Sequence, residues 1–250
     1  MKALINTAVF LVVMLLTPII YASDRTIQLA STDWAPYSGA YLRKEGVLSD
    51  IVSTAFAQVG YKVKFIYRPW IRALEEAKKG KWHGVMDVYY KPDHLETMIY
   101  SDPIWTVQLA FFTLKENGMR YQKLSDLHPY KVGVVRGVEF EKELKAAGLK
   151  IEHVTNVEQN IKKVLAKRIH LGISAKANVR YKLQSYHSLA EQKQIQFLSP
   201  IFKQEKVYVN FSKFKPNYLQ LAQDFNRGLQ IIKEKGIYQA IIKYHGLSED

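Results

Sequence analysis

Segments with the two-residue period of β-strands alternate along this chain with segments that have the helical period. In the first half the predicted strands and helices follow the order Thr26–Ser31, Val47–Val59, Tyr61–Tyr67, Trp70–Lys79 and Trp82–Val88. Strand–helix–strand units form parallel sheets through right-handed crossovers. The alternation therefore predicts an α/β protein and excludes an all-helical bundle or an all-β sandwich.

The second half has the same pattern without an obvious sequence repeat. Its predicted strands and helices are Lys131–Val135, Glu139–Ala147, Lys150–Val154, Val157–Lys167, Ile169–Ser174, Ala177–Tyr186 and Ile195–Leu198. Two β-rich runs, Ile104–Leu114 and Lys206–Phe211, flank this set, and helices at Asn217–Lys235 and Ile237–Tyr244 follow. The pattern predicts two lobes, each a sheet flanked by helices, joined by two β crossings. Ligands bind in such proteins where the carboxyl ends of the parallel strands face the gap.

The amino terminus has the pattern of a secretory signal peptide. Lys2 precedes an almost wholly apolar run, Ala3–Ile20, and the small residues Ala22 and Ser23 come next. We predict a signal peptide over residues 1–22 and a mature protein in the periplasm. An uncleaved membrane anchor is the alternative, although spanning a bilayer takes roughly 20 apolar residues and this run barely reaches that length.

Composition narrows the functional classes. The 250 residues include no cysteine, so an exported chain of this kind is expected to be held by an apolar core and not by disulfides. The net charge of +13 is spread in single residues and pairs, which predicts a solvated basic surface and no nucleic-acid partner. No histidine pair has metal-ligand spacing, so no metal and no other cofactor is predicted. A monomer is expected.

Several motifs carry a resemblance to a known family through their order and spacing. They are Asp33–Tyr37, Gly46–Ile51, Gly80–Met86, Tyr100–Ile104, Lys131–Gly137 and Gly236–Tyr244. Together they resemble the type 3 extracellular solute-binding proteins of amino-acid ABC transporters, and Arg68–Leu74 is similar to a divergent branch with a Pro-Trp-x-Arg signature. The resemblance implies a type II periplasmic-binding-protein fold, with lobe one at residues 23–112 plus 206–250 and lobe two at 113–205.

The same resemblance locates departures at ligand-binding positions. Family members that bind amino acids use an arginine to hold the substrate carboxylate, and this chain has His94 there. The aspartate that receives the amino group is replaced by Ala175, and a threonine pair is replaced by Val138 and Glu139. These departures predict that the solute is not an ordinary α-amino acid.

Twelve residues are predicted to contact the solute: Trp34, Tyr37, Trp70, Arg72, Asp87, Tyr89, Tyr90, His94, Arg136, Gly137, Val138 and Ser174. The aromatic rings offer flat surfaces for stacking, with local packing as the alternative role. Arg72 and Arg136 are either anion contacts or solvated side chains. Asp87 suits a ligand with an amine or hydroxyls, or else pairs with Arg72.

The expected function is capture of a small polar solute by hinge closure and delivery to the membrane permease of an ABC transporter. The family resemblance implies an amino acid or a related compound as the solute, but the residues that usually hold an amino acid are absent. A ligand-sensing partner of a membrane receptor is an open alternative. A periplasmic enzyme of the dehydratase type on the same scaffold is a further one. Asp87, Glu139 and His94 are the candidate acids and bases near the cleft, and they form no recognisable catalytic pair. We therefore predict a protein without enzymatic activity.

Overall fold

The structure is a computed structural model that describes residues 25–247. The predicted signal peptide and its cleavage point lie outside the described residues. The first elements are β1 (Thr26–Ser31), α1 (Val47–Ala57), β2 (Lys62–Tyr67), α2 (Trp70–Lys78), β3 (Gly84–Tyr89), β4 (Met98–Tyr100) and β5 (Trp105–Leu114).

The central elements are β6 (Lys131–Val135), α3 (Glu141–Ala146), β7 (Lys150–Val154), α4 (Val157–Leu165), β8 (Leu171–Ala175), α5 (Lys176–Tyr186), α6 (Leu189–Gln194) and β9 (Ile195–Phe197). The last are β10 (Lys203–Ser212), α7 (Tyr218–Glu234) and α8 (Ile237–Tyr244). Turns of 3-10 helix lie at Arg43–Glu45, Pro92–Glu96, Lys115–Asn117 and Leu124–Leu127.

The strands of the described residues form one continuous sheet in the order β2-β1-β3-β10-β5-β8-β6-β7, with β4 paired to β10 and β9 to β5. The parallel strands β2, β1 and β3 stand on one side, and the parallel strands β8, β6 and β7 stand on the other. Between them, β10 and β5 run antiparallel to each other and to their outer neighbours. These two strands, of 10 residues each, are the crossings between the two α/β halves.

The predicted element boundaries differ from the structure mostly by one to three residues at the ends, where helices fray and strand pairing stops. Sequence reasoning missed β4 and α6 altogether. The three-residue β4 is too short for a period to be recognised. Helix α6 does carry a readable signal, because Ser188 and Glu191 form a capping box at its start.

The predicted lobe boundaries fall inside the crossings, since 112/113 lies within β5 and 205/206 lies within β10. They remain a prediction. Among residues 25–247, no helix combines the length and apolar character needed to cross a membrane.

Candidate ligand-binding cleft

A cavity of about 800 Å³ lies between the two halves of the sheet. It is lined by residues at or just beyond the carboxyl ends of parallel strands: Thr32 after β1, Tyr89 of β3, Val135 of β6 and Ser174 of β8. The volume lies within the range of about 300–1,000 Å³ that is usual for small-molecule sites. The parallel strands of both lobes therefore direct their ends into one cavity.

A bulge in β3 positions Asp87 at this cavity. Val88 pairs with Tyr208 and Val85 pairs with Asn210, so two residues of β3 oppose a single residue of β10. Asp87 has φ 69°, a left-handed conformation that is uncommon for residues other than glycine but accessible to aspartate. Bulges of this kind redirect a side chain and are frequent beside functional sites.

The Asp87 carboxylate is buried and only half satisfied. It is 5% exposed, and its Oδ2 accepts hydrogen bonds from Ser31 Oγ at 2.7 Å and Ser38 Oγ at 2.8 Å. Its Oδ1 is buried and has no hydrogen-bond partner among the described residues. Burial raises the pKa of Asp87 to about 6, against the opposing effects of the two serine hydroxyls and a backbone hydrogen bond of Thr32.

Glu139 brings a second unsatisfied carboxyl group from lobe two. Its Oε1 is buried and has no hydrogen-bond partner in the described part of the chain, although the residue is partly exposed elsewhere. Burial raises the pKa of Glu139 to about 8. The pKa of Tyr89 is raised first by burial and then by Glu139, with Asp87 contributing as well, so both acids lie around this phenol.

Aromatic rings extend across the cavity from one lobe to the other. Trp34 and Tyr89 meet edge to face with ring centroids 5.8 Å apart, and Tyr89 lies 6.2 Å from Phe140 of lobe two. Tyr37 stands behind Trp34 at 4.5 Å and supports its ring. The cavity thus has several aromatic rings in its wall beside Asp87 and Glu139.

The lysines that line the cavity are already paired. Lys182 Nζ lies 3.3 Å from both carboxylate oxygens of Asp33 and 3.1 Å from the Tyr41 hydroxyl. Lys162 Nζ lies 3.2 Å from Glu158 Oε1. These pairs leave Asp87 and Glu139 as lining acids that form no ion pair within residues 25–247.

Direct contacts between the lobes show that the cleft is closed. Trp70 Nε1 donates to the carbonyl of Gly137 at 3.3 Å, and Asn178 Nδ2 donates to the carbonyl of Ala35. The Lys182–Asp33 ion pair also joins the two lobes.

The structure brings half of the predicted contact residues to the cavity wall: Trp34, Trp70, Asp87, Tyr89, Val138 and Ser174. Gly137 lies at the rim, where its carbonyl accepts from Trp70. These placements agree with the rule that ligands meet the carboxyl ends of parallel strands.

The other predicted residues lie outside the cavity lining. Tyr37 is 1% exposed and packs between Trp34 and Trp105, while Arg72, Tyr90 and Arg136 are exposed to solvent. His94 was expected at the surface near the ligand, but it is 1% exposed with its Nδ1 2.9 Å from the Tyr100 hydroxyl. Burial lowers the pKa of His94 to about 4, so it is a neutral internal side chain.

Sequence reasoning also missed residues that line the cavity from lobe two. Asn178, Lys182 and Tyr186 recur every four residues along α5, which follows the carboxyl end of β8. Side chains at this spacing share one face of a helix. The spacing was a usable signal, whereas nothing in the local pattern marked Glu139 as buried.

The sequence from residue 28 to residue 248 matches the family model of bacterial extracellular solute-binding proteins, family 3. The protein belongs to this family. The membership confirms the resemblance that the motifs indicated. The Pro-Trp-x-Arg branch stays a prediction. A comparison with curated proteins gave no match.

Three solved structures illustrate the similarity of the fold. The sensor domain of a histidine kinase with similarity to periplasmic binding proteins has a TM-score of 0.79 and 17% identity, covering 91% of this chain and 99% of that chain. The substrate-binding protein of an amino acid ABC transporter has a TM-score of 0.72 and 14% identity, and the match covers 88% of this chain and 98% of that chain. An ancestral amino acid-binding protein, a precursor of cyclohexadienyl dehydratase, has a TM-score of 0.71 and 19% identity, and the match covers 88% of this chain and 94% of that chain. The likeness confirms the predicted two-lobed α/β fold of type II.

Proposed function

We propose that the protein captures a small polar solute between its lobes in the periplasm and delivers it to the permease of an ABC transporter. The observation that carries this proposal is the cavity built jointly by both lobes, with Trp34 and Asp87 on one side and Glu139 and Phe140 on the other. A solute that touches both lobes stabilises the closed state in proportion to its preference for that state. The similarity to the substrate-binding protein of an amino acid ABC transporter supports the transport role.

The cavity argues against an ordinary α-amino acid as the solute. His94 replaces the arginine implied by the family resemblance, and it lies buried against Tyr100 outside the lining. Ala175 replaces the aspartate and carries no polar group. The lining lysines are engaged, with Lys182 on Asp33 and Lys162 on Glu158, while the exposed Arg68 donates to the carbonyl of Tyr67.

A sensing role is the second candidate, favoured by the similarity to a histidine kinase sensor domain that this chain covers almost entirely. Capture of the solute would be the same, and the closed form would then dock on a membrane receptor. Crosslinking of the closed protein in its native membrane, followed by mass spectrometry, separates the two roles by identifying a permease or a receptor.

The primary test is a thermal-shift screen of ligand-stripped protein with amino acids, carboxylates, sugars, amines and peptides, followed by small-angle scattering. A binding protein gains stability with a class of solute and becomes more compact. Trp34→Ala should reduce the shift, while Trp82→Ala, a change outside the cavity lining, should preserve it. Absence of any shift, or mass-spectrometric turnover of the bound solute, would count against a pure binding protein.

A further inference from the structure

We propose that the solute is an organic cation whose ammonium or amidinium group lies between Asp87 and Glu139, and that it needs no α-carboxylate for recognition. This assignment rests on the solute-binding role proposed above. It names the chemical class that the closed cavity is built to hold.

The first support is the state of Asp87. Two serine hydroxyls converge on Oδ2 and leave Oδ1 buried without a partner among the described residues. Burying a carboxylate without a partner for each oxygen is unfavourable. The bulge and the left-handed backbone at Asp87 are further unfavourable features that packing alone does not require. Together they keep one carboxylate oxygen available at the cavity.

The second support is that each lobe contributes one such acid. Asp87 belongs to β3, and Glu139 follows β6 on the opposite side of the cleft. Closure brings the two carboxyl groups into the surroundings of the same phenol, that of Tyr89. Both residues line the cavity, so a cation that meets both carboxyl groups contacts both lobes at once. A bound cation therefore favours the closed state specifically.

The surroundings of Glu139 favour a protonated carboxyl group when the cavity is empty. Burial raises the pKa of Glu139 to about 8; backbone hydrogen bonds of Glu139 and Tyr89 and the charge of Lys91 lower it, and Glu205 raises it. At neutral pH the closed, empty form accordingly holds a proton on this carboxyl group. An organic cation replaces that proton and restores the negative charge of Glu139.

The third support comes from the rest of the lining. Within the described residues the lysines of the cavity have their own acidic partners, Asp33 and Glu158. Arg68 is exposed and donates from Nη1 to the carbonyl of Tyr67 at 2.9 Å. Within residues 25–247 no lysine or arginine forms an ion pair with Asp87 or Glu139, although the charge of Lys91 acts on Glu139.

The aromatic wall suits the same class of solute. Trp34, Tyr89 and Phe140 lie beside the acids, and the faces of such rings attract organic cations. A neutral polyol would satisfy the hydrogen-bonding capacity of the acids but would make no use of their charge or of the ring faces.

The test is isothermal titration of ligand-stripped protein with sets of compounds matched in shape. Tyramine, tyrosol and tyrosine form one set, agmatine and arginine a second, and choline and betaine a third. We expect tyramine, agmatine or choline to bind at least about 10-fold tighter than its neutral or carboxylated counterpart, as the loss of one charge-assisted contact would produce. Preference for tyrosol, tyrosine, arginine or betaine would overturn the proposal.

Isosteric variants test whether Asp87 and Glu139 are responsible for the tighter binding of the cation. Asp87→Asn and Glu139→Gln keep shape, and asparagine tolerates the left-handed backbone. Each should weaken binding of the cation by about 10- to 100-fold. Asp102→Asn and Glu96→Gln, at exposed positions of lobe one, are the matched controls and should bind normally. Circular dichroism and the melting temperature establish that each variant is folded.

The outcomes separate this inference from the function on which it rests. Binding of a neutral or zwitterionic compound, or unchanged affinity of both acidic-site variants, refutes the cation assignment and leaves solute binding intact. Failure of every compound class to bind, together with no small molecule in native mass spectra of protein from the periplasm, overturns both.

Discussion

Replacing Glu139 by glutamine should change how the stability of the ligand-free protein depends on pH. The pKa of this carboxyl group is about 8 in the folded protein, against 4.5 for an unperturbed glutamate, because the group is buried without a partner for Oε1. Between these two values the native state binds more protons than the unfolded chain. The free energy of unfolding therefore falls as the pH rises through this window.

The magnitude follows from the two pKa values. Each pH unit well inside the window lowers the free energy of unfolding by about 1.4 kcal/mol. Between pH 5 and pH 7 the loss attributable to Glu139 is about 2.5 kcal/mol in the wild-type protein. The glutamine of Glu139→Gln does not titrate, so the variant should not show this loss of stability. For a chain of this size the difference corresponds to about 5–10 °C in melting temperature.

The assay is urea unfolding of ligand-stripped wild type and Glu139→Gln at pH 5, 6, 7 and 8. The free energy of unfolding of Glu139→Gln, relative to that of the wild type, should rise steadily from pH 5 to pH 8. Glu96→Gln, which alters an exposed glutamate, should follow the wild type at every pH. Parallel profiles for wild type and Glu139→Gln would mean that this carboxyl group titrates as in water, and the reasoning from its burial would fail.

Three further predictions concern the cleft and the sheet. Trp34→Ala removes a ring of the cavity wall and should weaken solute binding by about 10- to 100-fold in calorimetry, since a buried tryptophan is a typical binding hot spot; unchanged affinity would remove Trp34 from the site. Lys182→Met breaks the ion pair with Asp33 that joins the lobes and should increase the radius of gyration of the ligand-free protein in small-angle scattering. An identical scattering profile would show that this pair does not hold the lobes. Gly84→Ala would place a methyl carbon 2.1 Å from the carbonyl oxygen of Asn210 on β10, and we expect a loss of about 1–3 kcal/mol in chemical denaturation. A change below about 0.5 kcal/mol, typical of surface sites, would contradict it.

The sequence by itself determined the order of the elements and therefore the class of fold. The bounds of β6, β7 and α8 agree with their predicted ranges, because hydrophobic period, turn residues and helix caps are local properties of the chain. The family resemblance, in agreement with the rule that ligands meet the carboxyl ends of parallel strands, predicted Trp34, Asp87, Tyr89 and Ser174 as contact residues, and all four line the cavity.

Only the tertiary structure decided which side chains are buried, paired or left without a partner. Lys182 and Asp33 are 149 residues apart in the chain, and their pairing depends on the closure of two lobes. His94 is predicted to contact the solute and is instead buried outside the cavity lining, while Glu139, a candidate acid near the cleft, has a buried carboxyl oxygen without a partner among the described residues. The free energy of a charge is set by whatever surrounds it in space. For these residues the surroundings come from distant segments that no local pattern describes.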